Sequence, residues 1–130
     1  MRSEHEMIEL IVRIAETDER IRAVYLYGSR ADPYIEKDKY QDYDIVFVVT
    51  DTSSFISNKD WINEFGEIGF IFEGLWNQFH FNIDIESIDF TRRYIWSMLL
   101  EDGNRIDLVM EVTTALTREH RDQFRLAEVM

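Results

Sequence analysis

The sequence contains no cysteine, which removes thiol nucleophiles, thiolate metal sites and disulfides together. Its three histidines, His5, His80 and His120, stand far apart and lack the close spacing of a zinc cluster. Any metal is therefore expected to be a hard ion on oxygen ligands, with magnesium as the leading case. No apolar run approaches the roughly 18 residues needed to cross a bilayer, and the opening MRSEHEMIEL carries charges where a secretory leader would be apolar. A cytoplasmic protein with no membrane association is the expectation. Positive charge is also scarce: 14 Lys and Arg stand against 26 Asp and Glu, for a net charge of −12. A surface that grips nucleic acid needs clustered cations, so a nucleic-acid partner is not expected and a cationic ligand fits better. The same acidic excess also serves solubility.

A chain of 130 residues with 45% hydrophobic content suffices for one core and is too short for two ordinary domains, so residues 1–130 are read as a single domain. Ser3 and Glu6 have the spacing of a capping box, and Met7, Leu10, Ile11 and Ile14 recur at helical intervals, predicting an amphipathic helix over about residues 4–16. The run AVYLY, 23–27, reads as a strand that ends at Gly28. Residues 31–41 hold the single proline, Pro33, and read as a loop or short helix. The apolar run 43–50 predicts a strand covered on both faces. Residues 52–59 are polar and read as a loop, followed by a short helix over 59–65 carrying Trp61, Ile62 and Phe65. Between 66 and 90 the pattern is least legible, with alternation at Phe79, Phe81, Ile83 and Ile85 favouring a strand. Residues 94–100 and 105–110 predict a hairpin about Asp102 and Gly103. Thr117 reads as the cap of a terminal helix containing Phe124, Leu126 and Val129.

Chemistry concentrates in three segments. In YLYGSR, Gly28 lets an anion approach the backbone without a Cβ in the way, and the Ser29 hydroxyl and neighbouring amides can donate to phosphate oxygens. In QDYDIVFVV, Asp42 and Asp44 are two residues apart, so a strand points both to one face and Tyr43 to the other. A turn for phosphate beside paired carboxylates is what metal-assisted attack on a nucleoside triphosphate requires. Asp-x-Asp alone is common as a solvated pair, and Gly-Ser alone is common as a turn; the combination gives them weight. Asp107, in RIDLVM, is an acidic residue inside a strongly apolar strand, costly there unless paired or coordinated, and is the candidate third carboxylate. Glu111 is a reserve on the same face, with Asp84 and Glu86 ranked lower. Arg30 follows the turn and can reach a phosphate or form a surface ion pair. Arg92 and Arg93 read as a solvated pair.

The segments MRSEHEMIELIVRIAETDERIRAVYLYGSR, GSRADPYIEKDKYQDYDIVFVVTD and LLEDGNRIDLVM resemble the N-terminal domain of aminoglycoside 6-adenylyltransferases, streptomycin-modifying enzymes of the nucleotidyltransferase superfamily. The similarity covers most of residues 1–112. It implies an α/β (α+β) nucleotidyltransferase fold with a mixed sheet flanked by helices. It further implies ATP as cosubstrate, Mg2+ as cofactor, and transfer of AMP to an aminoglycoside hydroxyl, the antibiotic-resistance reaction. In that light Gly28 and Ser29 match the triphosphate-binding turn, Asp42 and Asp44 the metal-binding pair, and Asp107 the third carboxylate, as metal ligand or as base. The family's helical C-terminal domain, which completes the acceptor pocket, has no counterpart in these residues. Two further readings follow: a minimal nucleotidyltransferase that self-associates or uses a separate helical partner for another acceptor, and a nonenzymatic nucleotide-binding domain.

Overall fold

The computed structural model describes residues 1–28, 42–74 and 92–112. Helix α1, Glu4–Thr17, starts where the sequence signals it: the Ser3 hydroxyl accepts from the Glu6 amide, and the Glu6 carboxylate accepts from the Ser3 amide. Met7, Ile11, Ile14 and Ala15 form its buried stripe, and Leu10 packs at the margin. A turn at Asp18 then leads into strand β1, Ile21–Tyr27. Strand β2, Tyr43–Val49, follows.

Two short helical segments come next, helix α2, Ser53–Ser57, and a 3-10 helix, Asp60–Phe65. The second agrees with the expected helix over 59–65. The first corrects the expectation of a loop across 52–59. A single helical turn survives there because Phe55 is fully buried and meets Trp61 edge-on, with ring centroids 5.3 Å apart, and because the Ser54 amide donates to Asp51 at 2.8 Å. Strand β3, Ile68–Glu73, lies in the stretch with no clear sequence signal. Strands β4, Arg93–Leu100, and β5, Arg105–Val112, form the expected hairpin. Its turn uses Gly103 at φ 93° and is fixed by Asp102, which accepts from Arg2 Nε at 2.8 Å and from the Asn104 amide at 3.0 Å. The loop expected over 31–41, the alternating stretch 79–86 and the helix expected after Thr117 lie outside the described residues.

The strand order is β1-β2-β5-β4-β3. Only β2 and β5 run parallel; the other three pairings are antiparallel. The result is a mixed sheet flanked by helices, as expected. Side chains alternate between two faces along every strand. One face carries Tyr43, Ile45, Phe47, Trp96, Met98, Ile106 and Leu108 into a core closed by α1, α2 and the 3-10 helix. Trp61 and Trp96 meet there at 88°, with centroids 4.9 Å apart. The reverse face holds a smaller apolar group, Ala23, Val46, Val48, Ile95 and Val109. Among the described residues, no helix is long and apolar enough to cross a membrane.

Candidate active site

The acidic residues of interest sit on the reverse face because register puts them there. Tyr43 enters the main core with 1% exposure, so its neighbours Asp42 and Asp44 face the other way. The parallel β2–β5 ladder pairs Asp44 with Asp107, the antiparallel β1–β2 ladder pairs Asp44 with Tyr27, and the hairpin pairs Asp107 with Ser97. Phe72 of β3 is opposite Ser97. A single cross-strand row therefore reads Tyr27, Asp44, Asp107, Ser97, Phe72, one residue from each of the five strands among the described residues.

Gly28 continues directly from this row. Its φ of 76° is a conformation that L side chains rarely adopt. A Cβ built on it would collide with Asp44 Oδ2 and lie 3.1 Å from Asp44 Cγ. The glycine is thus required twice, by backbone conformation and by the closeness of the Asp44 carboxyl. Ser29 and Arg30, the other two candidates in the expected phosphate turn, lie outside the described residues.

The electrostatics of the row follow from crowding. Burial, followed by the negative charges of Asp107 and Asp42 and a hydrogen bond with Asp107, raises the Asp44 pKa to about 6. Tyr27 is pushed above the ordinary tyrosine value by burial first and then by Asp44 and Asp107, so it remains a neutral phenol at physiological pH. The Ser97 hydroxyl donates to Asp107 Oδ1. Asp42 sits just before β2 and pairs with Arg105 Nε at 3.6 Å. Glu111, the reserve carboxylate, lies near Arg93 Nε at 4.0 Å on the exposed end of the hairpin.

The sequence candidates Gly28, Asp42, Asp44 and Asp107 are thus brought to one end of one sheet face. Asp44 and Asp107 are neighbours; Asp42 is near enough to bias Asp44 while engaged with Arg105. Among the described residues, no three acidic or imidazole side chains converge closely enough to cage a metal unaided. Two adjacent carboxyls nevertheless suit a hard cation that takes the rest of its oxygen shell from water and substrate phosphates, which is how magnesium is commonly held. Ser97, Tyr27 and Arg105 were missed from sequence. Ser97 had an available signal: counting outward from the Asp102-Gly103 turn places it opposite Asp107.

Comparison with known proteins gives the same direction. The family model described as streptomycin adenylyltransferase matches residues 1–130. The aminoglycoside 6-adenylyltransferase of Bacillus subtilis (strain 168) is 37% identical over 124 residues, covering 95% of this chain and 40% of the relative. That of Staphylococcus aureus is 30% identical over 130 residues, covering all of this chain and 44% of the relative. A protein of the same name from Campylobacter jejuni is 49% identical over 67 residues, covering 52% of this chain and 23% of the relative. The crystal structure of an aminoglycoside 6-adenyltransferase from Bacillus subtilis superposes with a TM-score of 0.64 at 31% identity, covering 95% of this chain and 39% of that one. The chain spans less than half the length of these relatives. On its fold and on the match along its whole length, the chain belongs to the streptomycin adenylyltransferase family, with a nucleotidyltransferase fold.

Proposed function

We propose that this chain is the nucleotide-handling domain of a metal-dependent nucleotidyltransferase that moves AMP from ATP to a hydroxyl of an aminoglycoside such as streptomycin. The observation that carries the reading is the Asp44–Asp107 pair in register on β2 and β5, with Gly28 packed against Asp44. The relatives named above are aminoglycoside 6-adenylyltransferases, which supplies the acceptor class.

Asp44 and Asp107 would hold Mg2+, joined by Asp42 on release from Arg105. Such an ion would supply neutralisation of the charge that develops at the α-phosphate. Asp107 is the third carboxylate of this reading, as a metal ligand or as the base that takes the hydroxyl proton. Gly28 leaves room for the Asp44 carboxyl beside the turn, and Ser29 and Arg30 are the candidates to donate to phosphate oxygens. In the transfer, the acceptor hydroxyl oxygen bonds to the α-phosphorus as the α–β phosphoanhydride bond breaks. Pyrophosphate departs, and the hydroxyl proton leaves to Asp107 or to water. The net charge of −12 favours approach of a polycationic acceptor to the protein.

Because the matched segments make up less than half of the relatives, the acceptor side is assigned to chain outside these residues. A separate helical partner, or self-association, is the second way to supply it. The test is pyrophosphate release from Mg2+ and ATP, with and without streptomycin, for the 130-residue chain and for Asp44→Asn. Release that depends on streptomycin and vanishes in the variant is expected if the chain is self-sufficient. ATP binding without release assigns the acceptor side to a partner, and absence of Mg2+-dependent ATP binding overturns the proposal.

A further inference from the structure

Asp107 has a neighbour on each side in the cross-strand row. Toward β2 is the Asp44 carboxyl, and toward β4 is the hydroxyl of Ser97. Two carboxyls side by side repel when both are ionised, so Asp107 left to itself would turn away from Asp44. The Ser97 hydroxyl opposes that rotation, because it donates to Asp107 Oδ1 and leaves Oδ2 free of that bond. Ser97 lies on the half-buried part of β4, between the fully buried Trp96 and the buried Met98. The packing of those two side chains on the opposite face fixes the strand that carries it. A hydrogen bond to a charged group is about twice as strong as one between neutral groups. Partners that orient a ligating carboxylate commonly govern metal affinity as strongly as some ligands do.

We infer that Ser97 is a positioning residue, holding Asp107 in the orientation that lets it share one divalent cation with Asp44. This rests on the reading of Asp44 and Asp107 as the metal pair, and it assigns to Ser97 a role exerted through Asp107. Ser97→Ala removes the donor and frees Asp107 to rotate. Ser97→Thr keeps a hydroxyl at the same backbone position.

The test is calorimetric titration with a nonhydrolysable ATP analogue, with and without Mg2+, on the folded chain. It compares wild type, Ser97→Ala, Ser97→Thr, Asp107→Asn and the Ser97→Ala/Asp107→Asn double variant, with thermal unfolding checked for each. Ser97→Ala is expected to weaken the Mg2+-dependent binding about tenfold and to leave the Mg2+-independent binding unchanged. Ser97→Thr should restore most of the loss, and the double variant should bind like Asp107→Asn alone. Wild-type binding by Ser97→Ala, alongside a loss in Asp107→Asn, overturns the role of Ser97 and leaves the metal pair standing. An equal loss from Ser97→Ala in both backgrounds also overturns it, since the effect would not pass through Asp107. Wild-type binding by Asp107→Asn overturns the metal pair itself, and this role with it.

Discussion

Alternate residues of β2 have opposite environments. Tyr43, Ile45, Phe47 and Val49 enter an aromatic core, while Asp44, between the first two, is crowded against a second carboxyl on β5. The same contrast runs along β5, where Ile106 and Leu108 are buried among hydrophobic neighbours and Asp107 between them accepts from Ser97. One face of the sheet is arranged for stability. The other bears, beside a smaller apolar group, two crowded carboxyls whose arrangement costs stability. The proposed function rests on the period of two in a β-strand, with the apolar alternate residues holding the polar ones in register.

Substitutions on the two faces should therefore differ in size and even in sign. The largest effect belongs to the core face. Trp96 is fully buried, meets the Trp61 ring, and donates from Nε1 to Met110 Sδ at 3.2 Å. Trp96→Ala should destabilise by about 3–5 kcal/mol, read as a drop in the urea midpoint. Gly28→Ala comes next. It forces a Cβ into Asp44 at φ 76°, and should cost about 2 kcal/mol while also removing Mg2+-dependent nucleotide binding. A core variant that remains folded should keep that binding. Loss of binding in Gly28→Ala with no loss of stability would show that steric contact with Asp44 is not what the glycine relieves.

Two carboxylates sharpen the comparison further because their pH dependences run oppositely. Burial alone would raise the Asp102 pKa, but the Arg2 guanidinium and the amides of Arg2 and Asn104 hold it well below the usual carboxylate range. Its contribution is present above the unfolded value near 4 and is lost as pH falls below it. Asp102→Asn should therefore cost about 1–2 kcal/mol at pH 7, and the difference from wild type should shrink in acid. For Asp44 the folded value is raised, to about 6. Wild type then loses stability as pH rises from about 4 to about 6, so Asp44→Asn should be the more stable protein at pH 7. Discounted for solvent screening at a half-exposed group, the gain is about 1 kcal/mol and disappears near pH 4. Unfolding curves at the two pH values check both signs.

The legible parts of the fold were those whose signals are local. The Ser3–Glu6 capping box starts α1, and the Asp102-Gly103 turn fixes the β4–β5 hairpin. Asp107 betrayed itself as a charge in an apolar run. Helix α2 was missed because its one buried anchor, Phe55, sits among serines, and the contacts that hold it come from Trp61 and Arg20, whose guanidinium carbon lies 3.7 Å from the Phe55 ring centroid. Strand β3 was missed because it is an edge strand with an irregular register between Ile68 and Phe70, and its Phe70 and Phe72 are more than half exposed. Hydrophobic alternation marks a strand only when one face is buried. Of the site, Gly28, Asp42, Asp44 and Asp107 could be named from residue type and spacing. Ser97 could be reached only by counting outward from the hairpin turn to the residue opposite Asp107, and Tyr27 not at all, since a lone tyrosine in a strand acquires its role from the residue across the ladder.

The most direct test of the account measures stability and ligand binding together in Asp44→Asn at pH 7.5, by urea unfolding and by Mg2+-dependent titration with a nonhydrolysable ATP analogue. The account predicts a protein more stable than wild type that has lost Mg2+-dependent binding. A variant that is less stable, or that binds as wild type does, would contradict the claim that this face of the sheet holds a metal and nucleotide site at a cost in stability.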